Sequence, residues 1–349
     1  MANKLMIYGA YGYTGELMVH EAIRRGLKPV IAGRSQAKLS PLTQQYQLES
    51  RAFDTSNIGD NLHDIDVILN CAGPFVSTAP NFVEACLKNH IHYIDITGEI
   101  PVFQYCYEQD QRAKAAGIIL CPGAGFDIVP TDCLAASLKE KLPDATNIDI
   151  GFNFGTRPSI GTIKTAIEGA ATGGLIRRDS QLVSVPQGYR IRKLSFPNGN
   201  RWSVSFPWGD VFTAGISTNT PNGIVYAAMP LYLGIFLRLT SFLKPVFANK
   251  TVSHLLNKLV ERFFASGPQA EALSTERTEF WAEASNAKGE KVIGKISGPN
   301  VYRLTVDTGL AIAQHCLERP AKTGYQTPSM LMGSDFFSKR PEVETYFSN

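Results

Sequence analysis

Three glycines near the start of the chain constrain its fold more than any other feature. Gly9, Gly12 and Gly15 stand three residues apart in the stretch IYGAYGYTG, residues 7–15. An apolar run precedes them, and the pattern that follows is typical of a helix over 14–25. A strand, a glycine turn and a helix N-terminus together form a site for a pyrophosphate, because the anion can approach free backbone N–H groups. The sequence therefore predicts a dinucleotide-binding unit.

Each glycine has its own expected role in that unit. We expect Gly9 to turn the chain tightly out of the strand, Gly12 to leave room for the phosphates, and Gly15 to let helix and sheet pack closely. The GxxGxxG spacing is less common than GxGxxG, and its alternative interpretation is a chance glycine-rich turn. We expect Thr14 to contact phosphate and Tyr13 to lie on the adenine side, unless its ring only packs.

The end of the second predicted strand indicates which dinucleotide is bound. In such units this position faces the adenine ribose, and a carboxylate there binds the free 2′-hydroxyl of NAD. Residues 32–35 are instead AGRS, without a carboxylate that would repel a 2′-phosphate. Arg34 offers that phosphate a planar, permanently charged group, Ser35 a hydroxyl and Lys38 a second charge. The prediction is NADP(H), and the alternative is a surface arginine in a loop.

Up to about residue 140, short apolar runs alternate with helical patterns. Strands are predicted at 4–8, 28–32, 65–70, 91–96 and 117–121, and helices at 14–25, 36–47, 78–89, 100–116 and 131–141. This alternation predicts an α/β domain over 1–145, a Rossmann-type doubly wound parallel sheet covered on both faces.

Three polar, glycine-bearing loops follow predicted strands at 70–75, 93–99 and 122–132. Ligands bind at the carboxyl ends of strands in open α/β sheets, so these loops should outline one site. The residues predicted to bind the cofactor are Gly9, Tyr11, Gly12, Tyr13, Thr14, Gly15, Arg34, Ser35, Lys38, Cys71, Ala72, Gly73, Pro74, Phe75 and Gly98.

After residue 145 the pattern changes to that of a second domain. Polar and apolar residues alternate, as in half-buried strands, at 147–154, 189–196, 201–206 and 278–284. We predict an α+β domain over 146–300, built on a mostly antiparallel mixed sheet for substrate binding or dimerisation. Two further helical patterns stand at 159–172 and 301–318, and residues 301–349 are expected to return to the first domain as C-terminal helices.

Segment 224–264 is unusually apolar. Residues 224–237 carry no charge, and residues 251–265 repeat apolar side chains at helical spacing. The uncharged run is short, is broken by Pro230 and ends at Arg238, so no transmembrane helix is predicted. One interpretation is a buried core or homodimer interface, and the other is a surface that contacts lipid or borders an apolar pocket.

Composition excludes several classes of protein. The chain has 349 residues, enough for two cores, and its net charge of +3 is small and carries no nucleic-acid motif, so no nucleic-acid partner is predicted. The six cysteines never form CxxC, which indicates free thiols in a reducing compartment. The first strand begins the chain, so no signal peptide is expected and a cytoplasmic location is predicted, with peripheral membrane association as an addition to it.

Taken together, these segments resemble the saccharopine dehydrogenase-like oxidoreductases, a family that includes trans-acting enoyl reductases. The matching segments are GAYGYTG (9–15), AGR (32–34), NCAGPF (70–75), YIDITGE (93–99), PGAGFDIVPTD (122–132), STNTPNGIVYAA (217–228) and GPNVYRLTVDTGLA (298–311). The resemblance implies a Rossmann domain with NADP(H), a mixed-sheet second domain, a site in the cleft between them, and a reductase of unspecified substrate. The apolar segment 224–264 fits a lipid or polyketide-like substrate better than a dicarboxylic amino acid.

In such a reaction the cofactor supplies the hydride, and the protein supplies position and a proton. The predicted catalytic residues are Glu99 and Asp127. Further candidates are Asp95, Asp132 and Tyr93, although Asp95 could instead bind loop N–H groups and Asp132 could cap a helix that begins near residue 131.

Two other kinds of active site are excluded by spacing. A short-chain dehydrogenase needs Tyr and Lys four residues apart on a helix, and the pair with that spacing, Tyr189 and Lys193, lies in a run that alternates like a strand. The histidines lack ligand spacing beyond His90 and His92, so no metal site is predicted.

The sequence leaves two functions open. The first is an NADP(H)-dependent oxidoreductase that transfers hydride to a C=C, C=O or C=N bond of an unidentified small molecule, for which a lipid or polyketide-like compound is the apolar candidate. The second is a protein that binds NADP(H) or a lipid surface without turnover.

Overall fold

The apolar run LMIY forms the first strand of the computed structural model, which describes residues 4–154, 173–239, 276–318 and 320–348. The strands are β1 Leu5–Tyr8, β2 Val30–Gly33, β3 Ser50–Ala52, β4 Val67–Asn70, β5 His92–Asp95, β6 Ile119–Cys121, β7 Asn147–Asn153, β8 Gly174–Arg178, β9 Gln181–Val185, β10 Ile191–Phe196, β11 Gly199–Ser205, β12 Val225–Ala228, β13 Thr278–Ser285, β14 Lys291–Gly298, β15 Gly324–Tyr325 and β16 Glu344–Ser348. The helical patterns predicted at 159–172 and 251–265 lie outside the described residues.

The helices follow the same chain order. They are α1 Tyr13–Arg24, α2 Gln36–Tyr46, α3 Phe75–Asn89, α4 Ile100–Glu108, α5 Asp110–Ala116, α6 Val129–Lys141, α7 Asp210–Ser217, α8 Leu231–Leu239, α9 Val301–Leu317 and α10 Pro328–Met332, with a 3₁₀ turn at Gly59–Leu62.

The chain divides into two compact units. The first contains Met1–Val129 and Tyr302–Gly333, and the second contains Pro130–Val301 and Ser334–Asn349. Residues 130–145, which the sequence analysis assigned to the first domain, fall in the second unit.

The first unit is a parallel sheet with strand order β3-β2-β1-β4-β5-β6-β15. All residues of β1, β2, β4 and β5 are buried, because helices cover the sheet. This confirms the predicted Rossmann-type fold, whose strand order reverses between β1 and β4. The sequence analysis missed β3 and β15, which have only three and two residues and no apolar run.

Helix α1 shows why these residues fold as a helix on this sheet. Its buried residues Gly15, Met18, Val19 and Ala22 recur at helical spacing and face the core. Helix α9 packs beside it in the same unit, since a Cβ on Gly309 would lie 2.7 Å from the Met18 methyl carbon.

One predicted helix is wrong in its extent. The pattern over 100–116 forms two helices, α4 and α5, with the chain turning at Gln109. Asp110 begins the second helix, and its carboxylate accepts a hydrogen bond from the backbone N–H of Tyr325 at 2.9 Å. The break thus places a carboxylate where it holds the last strand of the sheet.

The second unit is a mixed sheet with strand order β10-β11-β12-β7-β13-β14-β16. Only the β12–β7 pair is parallel among these described strands, so the predicted mostly antiparallel sheet is confirmed. Residues 344–348 form β16 at its edge, so the C-terminal region is not entirely helical as expected.

Strand β13 departs from its predicted half-buried pattern. Both faces are buried, and its carboxylates Glu279 and Glu283 are only 4% and 6% exposed. Glu283 pairs with Arg192 at 2.7 Å and with Lys291 at 3.2 Å. The alternation of polar and apolar residues predicted that one face of this strand is exposed to solvent. The carboxylates on that face are buried instead, because partner groups compensate them.

Candidate cofactor-binding site

The glycine turn brings three pieces of backbone into contact after β1. Gly9 has a φ of +81°, and its N–H donates to the Ala32 carbonyl at 2.8 Å. A Cβ on Gly15 would lie 2.1 Å from the Gly9 carbonyl oxygen, and one on Gly9 would lie 3.0 Å from Ala72. The turn therefore has space for neither side chain, which agrees with the expected roles of Gly9 and Gly15.

Helix α1 directs its first backbone N–H groups at this turn. It begins at Tyr13, and its N-cap residue Gly12 has no side chain that could accept a hydrogen bond from them. Thr14 is half-buried in the same first turn. An uncapped helix N-terminus carries a partial positive charge, which favours an anion.

Tyr11 connects this turn to the end of β2. Its ring covers Gly33, where a Cβ would lie 2.6 Å from the Tyr11 Cε1 atom. The Lys38 ammonium lies 5.5 Å above the centre of the same ring. The glycine of the AGR motif leaves room for this ring in its present position, a contact that the sequence did not reveal.

Charge collects where a 2′-phosphate is expected. Arg34 is exposed and forms no ion pair within 4.0 Å among the described residues. Ser35 is the N-cap of α2, and its hydroxyl makes no capping hydrogen bond to that helix. Two cations and a second uncapped N-terminus therefore stand together at the end of β2.

The sequence analysis missed a carboxylate near this cluster. Asp54 follows β3, and its pKa is lowered by hydrogen bonds from Ser56 and then by the charge of Arg34. A negatively charged side chain therefore stands beside Arg34, where the adenine ribose is expected to bind. The loop after β3 gave no signal, because β3 itself was not predicted.

The loop after β4 lies across the switch point from the glycine turn. Cys71 donates its N–H to the Tyr8 carbonyl at 2.8 Å, and Ala72 donates to the Asn70 side chain at 3.0 Å. Gly73 and Pro74 are exposed, and Phe75 begins helix α3. These contacts fix the NCAGPF loop next to Gly9, as a cofactor site at this point requires.

Glu99 caps helix α3 from the neighbouring loop. Its two carboxylate oxygens accept hydrogen bonds from the N–H groups of Phe75 at 3.0 Å and Val76 at 2.8 Å. This bond explains why α3 begins at Phe75, three residues earlier than predicted, since a carboxylate stabilises a helix N-terminus. The structure thus gives this predicted catalytic residue a positioning contact with the cofactor loop.

Asp95 joins the ends of β5 and β6. Its carboxylate is fully buried and accepts hydrogen bonds from the N–H groups of Thr97 and Gly123, each at 3.0 Å, and from the Tyr93 hydroxyl at 2.8 Å. Burial raises its pKa to about 6 against the opposing effect of these donors. Tyr93 is equally buried, so both candidates hold the loops together rather than face solvent.

Asp127 is the carboxyl group at this edge best suited to exchange a proton. It is partly exposed, in the loop between β6 and α6. Burial of the carboxylate, followed by the negative charge of Glu99, raises its pKa to about 7. Near neutral pH such a group is present in both protonation states, which general acid catalysis favours.

The structure gives the positions of three other residues that the sequence analysis discussed. Asp132 is fully buried in the first turn of α6, which begins at Val129, so it is not the expected N-cap. Tyr13 is 42% exposed, and its ring packs edge-on against Tyr302 with centres 4.8 Å apart. Lys193 lies within strand β10, which confirms that it forms no helical pair with Tyr189.

Part of the first unit matches a known protein family in sequence, and the chain as a whole resembles a solved structure in fold. Residues 5–121 match the family model described as the saccharopine dehydrogenase NADP binding domain. The solved structure of apo histidine-tagged saccharopine dehydrogenase (L-Glu forming) from Saccharomyces cerevisiae covers 99% of this chain and 100% of its own, with a TM-score of 0.64 and 10% identity. The predicted resemblance and fold are thereby confirmed.

Similar curated proteins extend the resemblance beyond that domain. A saccharopine dehydrogenase-like oxidoreductase from Homo sapiens is 28% identical over 58% of this chain and 53% of its own length. A lipid droplet localized protein from Caenorhabditis elegans is 24% identical over 68% and 64%. A trans-acting enoyl reductase from Mycobacterium leprae (strain TN) is 29% identical over 37% and 33%. The chain spans about half the length of the first relatives it matches.

We predict that Asp127→Asn stabilises the protein more at pH 8 than at pH 4. The folded protein keeps the Asp127 proton up to about pH 7, whereas the unfolded chain releases it near 3.8. Between these values the unfolded state binds fewer protons, so wild-type stability falls as pH rises, and the variant lacks this loss. We expect a gain of about 1–3 kcal/mol at pH 8 from denaturant unfolding. A gain equal at both pH values would contradict the raised pKa.

Proposed function

We propose that this protein, whose residues 5–121 match the saccharopine dehydrogenase NADP binding domain, is an NADP(H)-dependent oxidoreductase. The observation that carries the proposal is the pair of uncapped helix N-termini, α1 at the glycine turn and α2 beside Arg34. They lie at the carboxyl edge of one sheet, where the two phosphate-bearing parts of NADP(H) bind in folds of this kind.

The residues present fit that cofactor. The turn around Gly9 and Gly15 has no room for side chains but exposes backbone donors, so it suits a pyrophosphate. Arg34, Ser35 and Lys38 suit the 2′-phosphate, and the loop over 71–75 borders the position of the second ribose. When bound, NADPH supplies a hydride to the substrate carbon.

Asp127 is the proposed proton donor. Hydride addition to a polarised C=O or C=C bond leaves a negative charge on oxygen or on the neighbouring carbon, and a proton must neutralise it. Asp127 is partly exposed, and its pKa of about 7 leaves it protonated in a large fraction of molecules at neutral pH. Glu99 holds the cofactor loop by capping α3 and, through its charge, favours the protonated form of Asp127.

The proposed substrate is an enoyl or keto lipid. Two relatives, a trans-acting enoyl reductase and a lipid droplet localized protein, support an apolar substrate by their names. The uncharged run over 224–237 supports it independently.

Replacing Arg34 tests the cofactor. We expect wild-type protein to bind NADPH at least about tenfold more tightly than NADH, because only NADPH carries a 2′-phosphate for the guanidinium. Arg34→Ala should abolish this difference by weakening NADPH alone, as measured by fluorescence titration. Arg201→Ala is the matched control, an exposed arginine in the second unit. Equal affinities in the wild type would refute the NADP(H) assignment.

Turnover tests the reaction. Wild-type protein should oxidise NADPH when given an enoyl or keto lipid from a panel of acyl thioesters and acyl ketones. Asp127→Asn should bind NADPH normally and lose at least about a hundredfold in rate, since general acids contribute 10²–10⁴. Asp144→Asn, an exposed aspartate that pairs with Lys288, is the control. Full activity in Asp127→Asn would remove Asp127 from the mechanism.

A second candidate function, attachment to a lipid surface, is favoured by helix α8. Five of its nine residues are exposed apolar or aromatic side chains, with Tyr232 75% and Leu239 67% exposed. The helix packs on β11, where a Cβ on Gly234 would lie 2.4 Å from a methyl of Val204. Apolar side chains that are exposed this close together mark an interaction surface. Among the described residues, no helix is long and apolar enough to cross a membrane.

The positive charge of the segment that contains α8 favours an anionic lipid surface as the partner. Residues 173–239 contain seven lysines and arginines against two acidic residues, a net charge of +5 in a chain whose total is +3. The exposed members are Arg178, Arg190, Lys193, Arg201 and Arg238. Basic side chains beside an apolar helix attract anionic headgroups while the helix enters the interface. The cytoplasmic location and the homodimer stay predictions.

Vesicle sedimentation tests this surface. We expect the protein to bind vesicles that contain phosphatidylserine, to bind neutral phosphatidylcholine vesicles weakly, and to dissociate at high salt. Replacing Tyr232 and Leu239 together by glutamate should abolish binding, whereas Tyr107→Glu, at an exposed aromatic residue of the first unit, should not. If the double variant instead converts a dimer to a monomer and vesicles never bind wild type, α8 is a homodimer interface.

A further inference from the structure

We propose that Thr305, on helix α9, is a positioning residue for Asp127. The inference deepens the proposed function and depends on Asp127 being its proton donor. Thr305 stands 178 residues after Asp127 in the chain, and no sequence motif connects the two. The two residues are connected through the loop between β6 and α6. Side chains of α9 hydrogen-bond to the backbone of that loop at two positions.

The hydroxyl of Thr305 makes the first of these contacts. Its Oγ1 accepts a hydrogen bond from the backbone N–H of Phe126 at 3.0 Å, directly before Asp127. The methyl of the same side chain fills the space beside Gly125, where a Cβ would lie 2.8 Å from Thr305 Cγ2. Thr305 is 9% exposed, so both contacts are shielded from water. One side chain thus fixes the direction in which the chain reaches Asp127.

The second contact comes one helical turn later. Thr308 donates its hydroxyl to the Ala124 carbonyl at 2.8 Å and also to the Leu304 carbonyl at 3.0 Å. Residues 305 and 308 share a face of the helix at this spacing. The loop is therefore held at Ala124 and at Phe126 by successive hydroxyls of α9.

The opposite side of the loop is held by Asp95. Its carboxylate accepts from the Gly123 N–H at 3.0 Å, and its backbone carbonyl accepts from the Ala124 N–H at 2.7 Å. Asp95 and Glu99 are the charged groups of the neighbouring loop, and the charge of Glu99 acts directly on Asp127. Residues 123–126 are thus fixed from both sides, and Asp127 is placed where that segment ends.

The same helix also contacts the phosphate-binding turn. Tyr302, in the first turn of α9, packs its ring against Tyr13 at the first position of α1. Helix α9 therefore touches the cofactor turn through Tyr302 and the proton-donor loop through Thr305. A proton donor works only within hydrogen-bond reach of the reacting atom. Because α9 contacts both segments, it fixes the distance between the cofactor turn and Asp127.

Two substitutions separate the contribution of the hydroxyl from that of packing. Thr305→Val keeps the shape and removes the acceptor for Phe126, while Thr305→Ser keeps the acceptor and removes the methyl. Titration of Asp127 by carbon NMR of proteins labelled at aspartate carboxyls is the measurement, with Asp127→Asn to assign the signal. If Thr305→Val does not fold, Thr305→Ala, which introduces no crowding, takes its place.

We expect Thr305→Val to lower the pKa of Asp127 by at least half a unit towards its ordinary value, since a loosened loop admits water to the carboxylate. Thr305→Ser should retain the wild-type titration. With a substrate in hand, Thr305→Val should also reduce kcat at least tenfold while the affinity for NADPH stays within twofold. An unchanged titration in Thr305→Val would refute the inference, and so would a Thr305→Ser variant that behaves as Thr305→Val does.

The experiment distinguishes this inference from the proposed function. If wild-type protein binds neither nucleotide, or if Asp127→Asn retains full turnover, the proposed function fails whatever Thr305 does. If those results are as expected and only the Thr305 variants titrate like wild type, the function stands and the positioning role is refuted.

Discussion

The close approach of Gly15 to the carbonyl of Gly9 is the contact on which the candidate site depends. No side chain fits between these two residues, so helix α1 starts directly on the turn that leaves β1. The same turn touches Ala72 in the loop after β4, which lies on the other side of the switch point. The first turn of α1 and the loop after β4 are therefore brought together by the absence of two β-carbons, at a point where the strand order of the sheet reverses.

Around that contact, four carboxyl groups of similar intrinsic chemistry take different roles because their surroundings differ. Asp95 is buried under three hydrogen bonds and joins the loops. Glu99 caps α3, and Asp54 stands beside Arg34 at the ribose end. Asp127 combines a shielded carboxylate with a partly exposed position, which raises its pKa to about 7 and leaves it open to proton exchange. The role of each carboxyl group follows from its neighbours and from its access to water.

The second unit shows the same principle on a larger scale. Strand β13 buries Glu279 and Glu283 because partners on strands β7, β10 and β14 compensate their charge and polarity. Helix α8, by contrast, leaves apolar side chains exposed in a segment of the chain rich in arginine and lysine. A buried charge and an exposed apolar group both carry a free-energy cost, which partners within the sheet offset for β13 and which the proposed lipid surface would offset for α8.

The sequence by itself determined what depends on neighbours within a few residues. The turn at Gly9, the helix that follows it, the alternation of strands and helices, and the cations at the end of β2 were all predictable, because short-range backbone geometry and side-chain periodicity fix them. Only the tertiary structure decided which groups each carboxylate contacts, that the Tyr11 ring covers Gly33, and that Thr305 and Tyr302 contact the loop after β6 and the first turn of α1. Those outcomes depend on contacts between residues tens to hundreds of positions apart, and no local pattern in a single sequence specifies which distant side chain will close the space around a given atom.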